Sequence, residues 1–172
     1  LLMSNLQAAL HVLLKYTQSL TEIVIDLNQL IVENAKSEKF ISLFLAKYNI
    51  KTHKLNYINA GHNAPLLLQN NKFYSLSKGC TLLGITNPLH NLDSETLLLS
   101  SNAVLFAYTD GLIDTSNNIN ETISISEIEN IVLKNKLSNC EFINQAVHFY
   151  IEEFKAEMPF VDDIALLTCK FR

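Results

Sequence analysis

Two acidic positions in this sequence adjoin apolar, strand-like segments, and their side chains could bind a cation. Asp110 lies in the stretch LFAYTDGLID (105–114), and Asp162 and Asp163 immediately precede IALLTCKF. Carboxylates at the strand ends of one sheet system can converge, and hard oxygen ligands favour Mg²⁺ or Mn²⁺ over zinc. A structural alternative exists for each position, because Asp-Gly is a common turn pair and an acidic pair before a strand can be a solvated turn.

The hydrophobic pattern predicts the elements that must position these carboxylates. Apolar residues at helical spacing predict helices near 2–14, 20–35, 125–135 and 139–157, the second opening on a Ser19/Glu22 capping box. Strand-like runs lie at 40–49, 54–69, 72–76, 95–100, 103–108 and 162–171. The run at 54–69 predicts a hairpin about a Gly-centred turn, and 95–108 predicts a strand pair joined at Ser101-Asn102.

The order of these elements predicts the fold class. Two helices precede about six strands that look antiparallel, and two further helices precede a last strand. Segregated runs of helices and strands favour an α+β fold. We expect the last strand to return to the middle of the sheet system.

Composition excludes several classes of protein. With 172 residues, 48% hydrophobic and 17% charged, the chain suits one folded domain (1–172). The net charge of −4 and the lack of a basic cluster argue against nucleic-acid binding. The apolar opening LLMSNLQAALHVLL is interrupted by polar residues, which argues against membrane insertion. Three cysteines without metal-ligand spacing predict free thiols in a reducing compartment; they are Cys80, Cys140 and Cys169.

The combined motifs resemble a known family. YINAGHNAPLLL, GCTLLGI, AVLFAYTDGLIDTSN and VDDIALLTCKF occur in the order found in the SpoIIE-type bacterial serine phosphatases. These belong to the metal-dependent protein phosphatases (the PPM family) and include activators of general stress sigma factors. The resemblance spans essentially the whole chain and implies an α-β-β-α sandwich, in which helices flank two antiparallel sheets.

The resemblance also implies roles for particular residues. Asp110 and Asp162 match two family aspartates that hold metal, with Gly111 beside the first. Asp163 falls where related phosphatases often have Asn, so we interpret it as an orienting or surface residue. His62 could face the cleft, but Asn59–His62 would form the hairpin turn, and we favour a structural role for His62 there.

The activity that the resemblance implies is metal-dependent hydrolysis of phosphoserine. Water activated by two Mn²⁺ or Mg²⁺ ions would attack phosphorus without a phosphoenzyme. The substrate implied is a phosphoserine on a small anti-anti-sigma protein of the STAS type. We expect a cytoplasmic domain that serves as the output module of a larger sensor, which could itself be membrane-anchored.

The sequence departs from the family in three places. The first metal motif, an Asp followed shortly by Gly-(His/Lys)-Gly, is absent, and with it the bridging ligand. Ala165 stands where the family usually has Thr or Ser, and the loop after Asn118 lacks the usual Gly-containing turn.

Two explanations fit the absent metal motif. Either the opening strands precede Leu1, or the protein is a degenerate relative that binds partners without catalysis. We favour the first, because Asp110 and Asp162 are both retained. Missing strands would leave sheet edges exposed, so we also expect a homodimer and little activity from this chain alone.

Overall fold

The computed structural model describes residues 2–35 and 39–172. The helices in these residues are α1 (Leu2–Tyr16), α2 (Leu20–Ala35), α3 (Gly111–Asp114), α4 (Ile125–Lys134) and α5 (Cys140–Lys155). The strands are β1 (Leu43–Asn49), β2 (Lys54–Ala60), β3 (Leu66–Gln69), β4 (Lys72–Ser75), β5 (Gly79–Cys80), β6 (Glu95–Leu98), β7 (Val104–Tyr108) and β8 (Leu166–Lys170). They form two compact units.

The first unit runs up to His62 and resumes at Ser77–Leu98. Strand β2 is the centre of its sheet, because it pairs antiparallel with β1 and β6 and parallel with β5. Helices α1 and α2 cover this sheet with apolar side chains spaced three and four residues apart. The buried cluster comprises Leu6, Leu20, Ile23, Val24, Leu27, Ile31, Ile58, Ala60 and Leu83.

The second unit comprises Asn63–Leu76 and Leu99–Arg172. Its sheet has the order β4-β3-β7-β8, and every pair in it is antiparallel. Strands β3 and β4 meet at Asn70-Asn71, where both residues have positive φ, as a tight hairpin turn requires. Helices α4 and α5 pack on this sheet. The buried cluster comprises Leu66, Leu68, Val104, Phe106, Tyr108, Leu112, Ile123, Ile128, Val132, Ile143, Val147 and Ile151.

The predicted class, mixed α+β with two sheets and flanking helices, is confirmed. One detail differs from expectation, because the β2–β5 pair is parallel and the first sheet is therefore not wholly antiparallel.

All four predicted helices form. The three cysteines are free thiols. Among the described residues, no helix has the length and apolar character needed to cross a membrane. That the chain is one domain stays a prediction.

The predicted hairpin at 54–69 is wrong. Strand β2 lies in the first unit and β3 in the second, so the turn at Gly61 passes the chain from one sheet to the other. Both edges of β2 are already paired, which leaves no edge for β3. The predicted pairing within 95–108 is wrong for the same reason, because β6 pairs with β2 whereas β7 pairs with β3 and β8.

The last strand is also placed differently from expectation. In the described sheet, β8 pairs with β7 alone and stands at the edge. Its side chains are mostly half-buried, and Leu167 is 60% exposed. The apolar run IALLTC predicted a central strand, but an edge strand can be as apolar when a helix covers one of its faces, as α5 does here.

Candidate active site

Asp110 stands where β7 ends and a single helical turn begins. The residue has helical backbone angles (φ −56°, ψ −32°), and its carbonyl accepts hydrogen bonds from the N–H groups of Ile113 and Asp114, both at 2.9 Å. Its carboxylate accepts from the N–H of Gly111 at 3.1 Å. The side chain is exposed, so its remaining lone pairs can reach another ligand.

Thr109 joins the end of β7 to the segment that leads into β8. Its hydroxyl donates to the Asp163 carbonyl at 3.0 Å and accepts from the Ala165 N–H at 2.9 Å. Its own N–H donates to the Ala165 carbonyl at 3.1 Å. Three hydrogen bonds therefore fix the TDG motif against the DDI motif, and we call this contact the TDG–DDI joint. It also places a hydroxyl beside Ala165, where the family usually carries one.

Gly111 permits the close approach of the two motifs. A Cβ at this position would lie 2.6 Å from the carbonyl oxygen of Asp163 and 3.1 Å from that of Asp162. The positive-φ glycines are Gly61 and Gly84, so Gly111 has an ordinary backbone angle. Lack of a side chain, rather than an unusual backbone angle, is therefore the reason why glycine suits this position.

Asp162 and Asp163 precede β8 and are both exposed. The carboxylate of Asp162 accepts from the N–H of Asp163 at 2.7 Å. Ion pairs in the described part of the chain involve neither residue, nor Asp110. Asp110 and Asp162 therefore each accept one backbone N–H of their own turn, as the structural alternative predicts, and keep acceptor capacity for a cation.

The side-chain donors at this site are of the type that binds a hard divalent cation, but they are too few to complete its coordination. Asp110 and Asp162 offer anionic oxygens on segments held together by Thr109, and such oxygens suit Mg²⁺ or Mn²⁺. Within residues 2–35 and 39–172, however, no three His, Cys, Asp or Glu side chains are arranged to hold a metal. The two aspartates could thus supply part of a coordination shell.

His62 lies in the first unit, whereas Asp110 and Asp162 lie in the second. Its N–H donates to the Asn59 side-chain oxygen at 2.8 Å, and its carbonyl accepts from the Asn59 amide at 3.0 Å. Its Nδ1 is 3.2 Å from the Ser42 hydroxyl. These bonds close the turn after β2 and support a structural role for His62, although the turn does not make a hairpin.

A groove beside Asp162 was missed by the sequence analysis. It has a volume of about 680 Å³ and lies between helix α5 and the segment before β8. The side chains that line it are Glu141, Asn144, Gln145, His148, Phe160, Asp162, Asp163, Ile164 and Leu166. The sequence did contain a sign of this groove. Polar residues recur every three or four positions along α5, which places them on one face of the helix.

Two titratable side chains on β7 and β8 have a raised pKa. Burial raises the pKa of the Tyr108 hydroxyl, with a smaller contribution from Glu129. Burial likewise raises the pKa of the Cys169 thiol on β8, with a smaller contribution from Cys140. Both groups therefore stay protonated at neutral pH.

Solved structures show which fold this arrangement belongs to. The SiaA-PP2C domain of Pseudomonas aeruginosa matches with a TM-score of 0.85 at 14% identity, covering 99% of this chain and 69% of that one. The RsbU and RsbW domains of Rv1364c from Mycobacterium tuberculosis match with a TM-score of 0.77 at 20% identity, covering 99% and 47%. The fold is thus that of the PP2C-type phosphatase domains.

Sequence comparison then gives the family. The family described as Stage II sporulation protein E (SpoIIE) matches residues 1–172, and this chain belongs to it. A Bacillus subtilis (strain 168) protein described as phosphoserine phosphatase RsbU is 31% identical over 68 residues. That match covers 38% of this chain and 20% of RsbU, so the chain aligns with about a fifth of that relative.

Proposed function

We propose that this chain is a metal-dependent serine phosphatase domain acting in bacterial signalling. The observation that carries the proposal is the TDG–DDI joint, which holds two exposed aspartates on adjoining segments with no competing ion pair among the described residues. The RsbU description as a phosphoserine phosphatase supports the substrate class. One related structure is described as Mn presoaked and another as a magnesium complex, which supports a divalent cation.

Each residue of the joint has a distinct role in the proposed reaction. Asp110 and Asp162 present carboxylate oxygens, and Thr109 fixes the separation of their segments. Divalent cations, when bound, supply a water of lowered pKa and neutralise charge on the phosphoryl group. In this proposal the protein itself contributes positioning and electrostatics, and the attacking group is water rather than a side chain.

We further propose the context of the reaction. The substrate is a phosphoserine on an anti-anti-sigma protein of the STAS type, and the domain works in the cytoplasm as the output module of a larger sensor. RsbU-type relatives support the partner class.

The test is the change of Asp110 to Asn in the full-length protein that contains this chain. We expect Mn²⁺-dependent release of phosphate from a phosphoserine peptide to fall about 100-fold or more, because a ligand charge is lost. Asn caps a helix as well as Asp does, so the turn at α3 should be kept. Asp114→Asn, an exposed acid on the same short helix, is the matched control and should retain activity.

The outcome separates the two hypotheses for Asp110. Full activity in Asp110→Asn would assign the residue to the turn alone. A second candidate, a phosphatase-like binding module without catalysis, is favoured by the lack of a three-ligand cluster in the described part of the chain. Absence of Mn²⁺-dependent turnover in the unmodified full-length protein would support that candidate.

A further inference from the structure

The groove beside Asp162 has the properties of a binding site for extended polypeptide. One wall is the face of α5 from Glu141 to His148, and the other is the chain from Phe160 to Leu166. The seven steps from Glu141 to His148 rise about 10 Å along the helix, which matches about three residues of extended chain. The groove therefore has the length to hold a short stretch of another protein.

The floor of the groove is apolar and anchored. Ile164 and Leu166 are partly buried and pack against the hydrophobic core of the second unit. Phe160 is 44% exposed, and the Lys155 ammonium lies 4.8 Å from the centre of its ring. The Lys155 ammonium also forms an ion pair with Glu152 at 3.1 Å, near the end of α5. An apolar side chain could be buried on this floor without rearrangement.

The rim of the groove is negatively charged. Glu141, Asp162 and Asp163 contribute three carboxylates, and none of the ion pairs in the described residues involves them. Asp162 is already assigned to a cation in the proposed function, whereas Glu141 and Asp163 are not, and the described residues hold no cluster of three metal-ligating side chains. A positively charged side chain on an occupant would complement these carboxylates.

We propose that this groove docks a segment of the protein substrate that carries Lys or Arg next to an apolar residue. The inference rests on the proposed function, because Asp162 belongs both to the TDG–DDI joint and to the wall of the groove. Docking here would place the phosphoserine of the same segment beside the joint. The groove would thereby select substrates by the residues that flank the phosphoserine.

The first experiment measures binding without catalysis. A fluorescein-labelled peptide containing Arg-Leu beside an unphosphorylated serine is titrated with this chain, in chelator and at low salt. A matched peptide carries Glu in place of Arg. We expect the Arg peptide to bind about fivefold more tightly, with the difference shrinking as salt is raised. Amide shifts in the labelled chain should map to α5 and residues 160–166.

The second experiment tests the groove itself. Glu141→Lys should weaken binding of the Arg peptide about fivefold, and Glu141→Gln should weaken it less. Glu153→Lys is the matched control, because Glu153 is an exposed acid on the same helix and lies outside the groove. It should bind the peptide as the unmodified chain does.

Several outcomes would overturn the proposal. These are equal binding of the two peptides, shifts confined to other surfaces, or the same loss in Glu153→Lys as in Glu141→Lys. Because the assay contains neither metal nor phosphate, its result is independent of turnover. Peptide selectivity without phosphatase activity in the full-length protein would reject the proposed function and retain the groove. Phosphatase activity without peptide selectivity would retain the proposed function and reject the groove.

Discussion

At the scale of single residues, the candidate site depends on two small side chains rather than on the acids alone. Thr109 uses one hydroxyl as both donor and acceptor to hold the segment 163–165. Gly111 leaves room for the carbonyl groups of Asp162 and Asp163. The motif is therefore informative as a unit: threonine ties the segments together, aspartate faces solvent, and glycine allows the contact.

Gly111→Ala tests this account of the joint. The added methyl group would lie 2.6 Å from the Asp163 carbonyl oxygen, which is backbone and cannot rotate away. Overpacking of this kind costs about 1–3 kcal/mol, whereas the gain in helix propensity is at most about 1 kcal/mol. We expect a net loss of about 1–2 kcal/mol in the free energy of unfolding, measured by urea denaturation. A variant more stable than the unmodified chain would contradict the steric explanation.

At the scale of elements, the sequence predicted which segments are helices and strands better than it predicted their partners. Hydrophobic periodicity located α2, α5 and β7, because burial of one face leaves a periodic pattern. The partner of β2 depends on which edges are already occupied, and that is a property of the whole sheet. The joint was predictable as two acidic motifs, whereas the groove needed the placement of α5 beside β8.

A buried amide in α2 is another feature whose partners could not be predicted from the sequence. Asn28 is 1% exposed; its amide donates to the Thr86 carbonyl, and its oxygen accepts from the Gly84 N–H, both at 2.9 Å. One side chain thus fixes the loop between β5 and β6 against the helix. An Asn on the apolar face of a predicted helix was the available signal, but its partners are more than fifty residues away.

Asn28→Ala should destabilise the first unit. The change leaves the partly buried Thr86 carbonyl and the buried Gly84 N–H without their partner, at a cost of about 2–4 kcal/mol. The matched control is Asn34→Ala on the same helix, whose exposed side chain bonds only its own helix at Leu30. Urea denaturation of both variants measures the difference. Equal, small losses in the two would show that the loop does not depend on Asn28.

At the scale of the whole molecule, helix α1 exposes several apolar side chains beside α2. Met3, Val12, Leu14 and Tyr16 are between 46% and 85% exposed, although α1 is an amphipathic helix. A shallow groove next to Val12 runs between the two helices. Exposed apolar helix faces favour association with another protein surface, and a second copy of the chain is the surface always present.

Val12→Glu therefore tests the expected self-association. We expect the unmodified chain to show concentration-dependent dimerisation by light scattering, and the variant to shift toward monomer by about tenfold in dissociation constant. His11→Glu, the adjacent exposed residue, is the control and should dimerise as the unmodified chain does. A strictly monomeric unmodified chain would rule out association through this face.

The division of the chain between the two units has a consequence for its synthesis. Residues 63–76 form the β3–β4 hairpin of the second unit, yet they lie between the two segments of the first. The hairpin leaves the ribosome before its neighbour β7, and at about 5–20 residues per second it waits a few seconds for that strand. During that interval the edge of β3 that pairs with β7 is unpaired. Chaperone binding to the nascent chain would therefore protect it from aggregation between the emergence of β3 and that of β7.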